Sequence, residues 1–504
     1  MDQEKTTIIL GPPGTGKTHS LLDVVEQALE AGVKPSRIGF MSFTKKASEE
    51  GKSRASTRFS IPEEDLPHFR TLHSMAFRHL GMRRDQVLSW THLRELGSML
   101  GMEFKGHAEV AEDDVYGMNV ADRMLFLEGL ARSVKRPLQE VWSEAFEDSV
   151  DWRELERFAS ALKSFKKSRM LLDFTDMMER FVTSDPRTVP QLDLLVVDEA
   201  QDLSPLQWDA VEMLAANAKQ VHVAGDDAQA IYSWSGADVA RFIGLPGKQV
   251  NLTQSYRVPS SVYALANSIT DRISKKRPRQ WSPKKEAGAV NWFNNVDEVD
   301  MSTGTWTLLA RNGYMLTELE ECCLTQGFSF HSVSRDPLKS KTLVAIRTWE
   351  NLRRGQDEPS ERVLEVAKLM HQSLVPSTLL SQLRADDPGR MRGLPELREL
   401  GLGTDKIWHE AMTRISPRER EYFIAARKRG EKLLGKPRIQ ISTIHSVKGG
   451  EADHVLLLTD MSYRTHLNME LAPDDELRVW NVAVTRCRET LNVVMPQTNL
   501  NFEM

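Results

Sequence analysis

Thr6-Thr7-Ile8-Ile9-Leu10-Gly11-Pro12-Pro13-Gly14-Thr15-Gly16-Lys17-Thr18 is the stretch that decides the fold. Five residues of strand character run into a glycine-rich loop, and an apolar-periodic helix through Leu21, Leu22, Val25 and Leu29 follows. The spacing Gly11-x-x-x-x-Gly16-Lys17-Thr18 between strand and helix is that of a phosphate loop. Glycines let successive backbone N–H groups face a phosphate, the helix N-terminus adds its positive end, and Lys17 reaches the outer phosphates as a point charge. The hydroxyl of Thr18 is placed to hold Mg²⁺. Such a loop needs an acidic partner at the tip of a neighbouring strand, and Leu194-Leu195-Val196-Val197-Asp198-Glu199 supplies one. Asp198 is the candidate metal ligand, and Glu199 is placed to polarise an attacking water.

The chain has 504 residues, 40% hydrophobic and 27% charged, with 66 lysines and arginines against 71 aspartates and glutamates, a formal charge of −5. That length suits about three domains, and the composition excludes a disordered or fibrous chain. Met1-Asp2-Gln3-Glu4-Lys5 is unlike a secretory signal, and no apolar run approaches the roughly 18 residues that span a bilayer. Cys322, Cys323 and Cys487 lack metal-knuckle or disulfide spacing, which fits a reducing, cytoplasmic setting, and Cys322 and Cys323 read as buried small hydrophobes. Net charge is an average over the surface, so slight acidity leaves a nucleic-acid partner open.

A strand over Ile38–Phe43 and later ones over Leu192–Val197, Gln220–Ala224 and Gln249–Leu252 alternate with helices, the pattern of a parallel α/β sheet. From about residue 75 to 170 the spacing is helical, with Trp90, Leu93, Leu96 and Leu100 on one stripe, and reads as an inserted domain. Strands at Val290–Phe293, Trp306–Ala310, Ile439–Ile441, His454–Leu458 and Leu491–Val494 predict a second sheet, and a second helical insert runs from Leu343 to about 435. The basic run Arg272, Lys275, Lys276, Arg277, Arg279, Lys284 and Lys285, with Trp281 inside it, reads as a solvated face ahead of a nucleic-acid track.

Asp198-Glu199-Ala200-Gln201-Asp202, taken with Gly225-Asp226-Asp227-Ala228-Gln229-Ala230-Ile231-Tyr232-Ser233-Trp234, resembles superfamily 1 DNA helicases of the UvrD/Rep/PcrA type. Phe43-Thr44-Lys45-Lys46-Ala47 is similar to that family's motif Ia, Thr71-Leu72-His73-Ser74 to Ib, and Asp173-Phe174-Thr175-Asp176-Met177 to its acidic-aromatic segment before motif II. Leu252 to Arg257, Leu309 to Asn312, Ser442 to Glu451 and Val482 to Arg486 resemble the arginine motif and motifs IV, V and VI in family order. The resemblance implies an α/β fold of two RecA-like parallel-sheet domains, each interrupted by a mainly helical insertion. Residues 1–75 and 170–255 would form the first domain around an insertion at 76–169. Residues 256–340 and 436–504 would form the second around an insertion at 341–435.

It further implies an ATP-dependent DNA helicase that translocates 3′ to 5′ on single strands, with ATP and Mg²⁺ in the cleft between the domains and hydrolysis coupled to their closure. Lys17, Asp198, Glu199, Gln229, Arg257 and Arg486 would carry catalysis, and Thr18 with Asp198 would hold the metal. Gly11, Pro12, Pro13, Gly14, Thr15, Gly16, Lys17 and Thr18 would bind the nucleotide, with Tyr256 stacking on adenine and Glu451 bonding the ribose. Phe43, Tyr232 and Trp234 would be stacking platforms, and Thr44, Thr71, His73, His445 and Ser446 would contact the strand. Single-stranded and tailed duplex DNA are the expected partners, with no membrane and a monomer as the minimal unit. Only ten residues precede Gly11, where the family has an adenine-reading glutamine helix; Ser235 stands where many members have arginine, and Asn481 where tyrosine is usual. A DNA-stimulated ATPase that senses or regulates with little unwinding, and an ATPase acting on RNA, are the alternative readings.

Overall fold

The computed structural model describes residues 1–43, 45–106, 118–145, 150–433 and 435–504. Its first sheet holds β1 (Thr6–Leu10), β2 (Ile38–Ser42), β3 (Phe69–Thr71), β4 (Leu192–Val197), β5 (Ala218–Gly225) and β6 (Lys248–Asn251). The strands run in the order β3-β2-β4-β5-β1-β6, and every neighbouring pair is parallel. β4 shows why this sheet is covered twice. Leu195 and Val197 join a buried cluster with Trp208 and Leu214 of the helix Pro205–Ala216, whereas Leu194 and Val196 join another with Leu21 and Val25 of the helix Lys17–Glu30. Successive strand side chains point to opposite faces, so a run apolar at nearly every position needs helices on both.

The second sheet holds β7 (Ala289–Phe293), β8 (Trp306–Ala310), β9 (Phe330–His331), β12 (Ile439–Thr443), β13 (Ala452–Leu458) and β14 (Cys487–Val494), in the order β7-β14-β13-β8-β12-β9 and again all parallel. β13 repeats the logic of β4, with Val455 and Leu457 in one cluster and Leu456 and Leu458 in another. Both sheets are thus parallel-sheet domains of the expected α/β class.

Each intervening helical span has a core of its own. Leu93, Met124, Leu127, Phe158 and Leu162 pack together in the first, and Trp349, Leu397, Trp408 and Phe423 in the second. The second span also contains a small antiparallel ladder, β10 (Glu358–Pro359) with β11 (Met391–Arg392). Like β3 and β9, these strands are two or three residues long, too short to leave a period in the sequence. The three cysteines are buried and free. Among the described residues no helix is long and apolar enough to cross a membrane.

The basic run departs from the solvated face expected of it, because Arg277 and Arg279 turn inward. Arg279 reaches Asp226 at 2.6 Å and Asp227 at 2.9 Å, and Arg277 Nη2 donates to the carbonyls of Phe242 (3.0 Å) and Leu245 (2.9 Å). Two cations of the run therefore hold this loop against the segments that follow β5. Trp281 is buried with them.

Candidate nucleotide and nucleic-acid site

The carboxyl ends of β1, β5 and β4 lie side by side, where ligands bind in open α/β sheets. Gly11 leaves β1 with its N–H donating to Gly225 O at 3.2 Å, and Thr15 Oγ1 donates to Pro12 O at 2.8 Å. Gly14 and Gly16 adopt φ of 74° and 79°, the left-handed region open to glycine, which curls the loop into the helix. Lys17 Nζ donates to Gly11 O at 2.9 Å, and Thr18 Oγ1 donates to Asp198 Oδ2 at 2.9 Å. A hydroxyl and a carboxylate this close can share one divalent cation. Burial, and then the neighbouring Glu199, push the Asp198 carboxyl up to about 6, a cost that a cation there would relieve. No group of three or more His, Cys, Asp or Glu that could hold a metal occurs among the described residues, and the Thr18 hydroxyl beside the Asp198 carboxylate is the hydroxyl–carboxylate pair at the phosphate loop.

Glu199 follows at φ 52°, a left-handed backbone that costs a non-glycine residue about 1–3 kcal/mol and is typical of functional sites. Burial opposes its ionisation, but Lys17, Lys448 and a 2.6 Å hydrogen bond from Gln201 outweigh that and hold it below the usual glutamate range. It is therefore a carboxylate at neutral pH, the form a general base requires.

The second sheet reaches into the same place. Arg486 Nη2 donates to Gln229 Oε1 at 3.0 Å, and Gln229 Nε2 donates to Asp226 Oδ2 at 2.6 Å. Burial, and then the neighbouring Arg257, lower the Arg486 guanidinium to about 9. Lys448 Nζ donates to Asp202 at 2.5 Å and to Gln229 O at 2.6 Å, and it lies 4.9 Å from the Tyr232 ring centre. Ser255 Oγ donates to Pro13 O at 2.7 Å and Tyr256 N to Gly14 O at 2.9 Å, so the arginine motif braces the phosphate loop. A Cβ on Gly14 would meet that of Arg257 at 2.4 Å. Arg257 pairs with Glu451, which also takes Arg488. Tyr256 is 76% exposed, which excludes a core role for its ring. Lys448, Asp202 and Ser255 lie inside segments that the sequence singles out, yet no spacing rule marks them as cross-sheet partners.

A row of rings lies beside this cleft. Phe43 and Tyr232 are 5.4 Å apart, Tyr232 and Trp234 6.4 Å, and His445 meets Trp234 edge-on at 6.5 Å. Phe126, from the first helical insertion, stacks on Trp234 at 6.2 Å and 21°, a partner that the sequence reading missed because a phenylalanine in a helical stripe reads as core. His73 sits apart from the row, edge-on at 5.7 Å to Phe174, which is 62% exposed. Burial lowers the His73 imidazole to about 4, so it is neutral at pH 7. The Thr71 hydroxyl caps the helix Leu72–His79 by accepting from Ser74 N at 3.2 Å, and exposed Ser446 accepts from Thr443 Oγ1 at 3.1 Å. Thr44 lies outside the described residues. The unusual Asn481 donates to Ala228 O at 2.8 Å, and Ser235 donates to Tyr232 O at 2.9 Å.

The family described as UvrD/REP helicase N-terminal domain matches residues 2–247. The protein named ATP-dependent DNA helicase PcrA of Staphylococcus epidermidis strain RP62A is 24% identical over 318 residues, covering 59% of this chain and 42% of that protein. Its namesake in Staphylococcus aureus strain Mu50 is 23% identical over the same shares. The chain thus spans less than half the length of these relatives. The N-terminal match and these relatives make the chain similar to helicases of the UvrD/Rep/PcrA type, and the two parallel sheets are consistent with that likeness.

Proposed function

We propose that the chain is an ATP-dependent DNA helicase that translocates 3′ to 5′ on single strands, with hydrolysis coupled to closure of two RecA-like halves, 1–75 with 170–255 and 256–340 with 436–504. The observation that carries this reading is the set of bonds joining the sheets at one point: Arg486 to Gln229, and Lys448 to Asp202 and Gln229. Guanidinium groups supplied across a cleft offset charge developing on a transferring phosphoryl group only while the cleft is closed. Lys17 and the loop N–H groups would hold the phosphates, Glu199 would take a proton from water, and Gln229 would report the outer phosphate to Arg486. Mg²⁺, when held by Thr18 and Asp198, would neutralise phosphate charge. Tyr256 would stack on adenine and Glu451 would bond the ribose. Phe43, Tyr232, Trp234 and His445 would stack on or flank bases, with Thr44, Thr71, His73 and Ser446 along the strand. Lys448, touching both Gln229 and the Tyr232 ring, would carry the state of the nucleotide to the strand. A cytoplasmic monomer acting on single-stranded and tailed duplex DNA is the minimal form of this proposal. The test is strand displacement with ATP and Mg²⁺ on 3′-tailed, 5′-tailed and blunt duplexes. Unwinding confined to the 3′-tailed duplex is expected, with ATPase raised by single-stranded DNA; ATPase without displacement on any of the three would leave only a DNA-stimulated ATPase, and preference for the 5′ tail would overturn the polarity.

A further inference from the structure

A cavity of about 900 Å³ lies between the end of β6, the helix Ser260–Asp271 and the basic loop 276–282. No residue of the loop Gly11–Thr18 lines it. We propose that this cavity binds a 5′-phosphorylated nucleoside, apart from the ATP cleft. Arg277 lines it, is 8% exposed, and carries a charge that its side chain spends only on neutral acceptors: Gln249 Oε1 at 3.1 Å and the carbonyls of Phe242 and Leu245. Its buried Nε–H has no acceptor among the described residues. The carboxylates of Asp226 and Asp227 pair with Arg279, and Asp227 also accepts from the Arg277 backbone N–H at 3.1 Å and favours its charge from there, so among the described residues the Arg277 guanidinium makes no salt bridge of its own. Buried cations are ordinarily paired, and a phosphate is the anion whose geometry a guanidinium matches. Lys276, also lining the cavity, donates to Thr270 O at 2.5 Å and lies 3.8 Å from Asp271, an exposed carboxylate at the rim of the same cavity.

The remaining wall suits the rest of a nucleotide. Asn251, Thr253 and Asn267 offer amide and hydroxyl groups that both donate and accept. Tyr263 and Trp281, which meet edge-on at 4.7 Å, add aromatic surface to the wall. The volume falls within the roughly 300–1,000 Å³ of small-ligand sites. The ligand could be a free nucleotide or the phosphorylated end of a strand, which share this chemistry.

Nucleoside monophosphates test the site cleanly, because they lack the outer phosphates that the loop around Lys17 cradles. Calorimetric titration of the full chain with AMP should give a Kd below about 1 mM, unchanged in Lys17→Ala. Lys276→Glu and Asn267→Asp should each weaken it by at least about tenfold by setting a carboxylate against the phosphate. Lys276→Gln, which keeps the stem, should cause a smaller loss of the same sign. Displacement of AMP by a 5′-phosphorylated tetrathymidylate would assign the site to strand ends, and failure to displace it would assign it to free nucleotide. Loss of AMP binding in Lys17→Ala, wild-type binding in both carboxylate variants, equal binding of adenosine, or no binding at millimolar AMP would each overturn the proposal.

Discussion

Replacing Lys448 with methionine keeps a stem of similar length and removes the ammonium that holds Asp202. Asp202 is 3% exposed, and burial pushes its carboxyl up to about 7 even with Lys448 beside it. An unfolded aspartate titrates near about 3.9. A carboxyl whose folded pKa lies above its unfolded one opposes folding when ionised: the penalty is absent below about pH 4, grows as the pH rises to about 7, and is complete beyond that. Removing Lys448 raises the folded pKa further. At pH 6 wild type and variant therefore both hold a protonated Asp202 and differ mainly by lost hydrogen bonds, about 1 kcal/mol. Above pH 7 the wild type levels off, while the variant loses about 1.4 kcal/mol more for each pH unit. By pH 9 the difference should reach about 3–5 kcal/mol, the size of a broken buried ion pair. Urea unfolding at pH 6 and pH 9 measures this, and adding Asp202→Asn to the Lys448→Met protein should recover the alkaline part of the loss. Equal losses at both pH values, or no recovery by Asp202→Asn, would refute the reasoning.

Glu199→Gln should cut kcat for ATP by about 10²–10⁴-fold while equilibrium nucleotide binding persists, so a binding assay and steady-state kinetics read together test the assigned base. Arg486→Ala should lower kcat by about 10³-fold or more with KM nearly unmoved; a defect confined to KM would mean that it binds ground-state nucleotide instead. Trp234→Ala should weaken single-stranded DNA by about 1–3 kcal/mol, which fluorescence anisotropy with labelled oligothymidylate resolves. Because the Asp198 carboxyl is pushed up to about 6, protons compete with the divalent cation below that pH; metal-supported hydrolysis should rise from pH 5 to 7, and excess Mg²⁺ should shift the rise toward acid.

Legibility in the sequence followed whether a feature is local. The loop Gly11–Thr18 announces itself because glycine spacing and flanking periodicity sit within a few residues, and β4 does so because Leu194 to Val197 is apolar at every position. Lys448 and Asp202 are 246 residues apart in the chain, and only the packing of one sheet on the other brings them together. Arg277 and Arg279 looked solvated because a run of like charge has no partner nearby in sequence; Asp226 and Asp227, which pair with Arg279, stand about 50 residues upstream, and the carbonyls of Phe242 and Leu245 that take the Arg277 side chain stand 35 and 32 residues upstream. Tyr256 illustrates the opposite case. Its segment was readable, but its exposure depends on how Ser255 anchors the backbone to Pro13.

The ring of Phe126 lies nearly parallel to that of Trp234, though it rides on the helix Val120–Ser133 of the first insertion. A base seated against that side of Trp234 must part these two rings. With Trp234 as the proposed stacking platform, the insertion shares in the strand-binding surface and is tied to it by this ring contact. Its outer helices can vary in length and charge at little cost, but the turn that carries Phe126 must stay in register with the segment after β5. Changes that lengthen or rotate that helix would alter which strands gain entry while leaving the chemistry of the nucleotide cleft untouched.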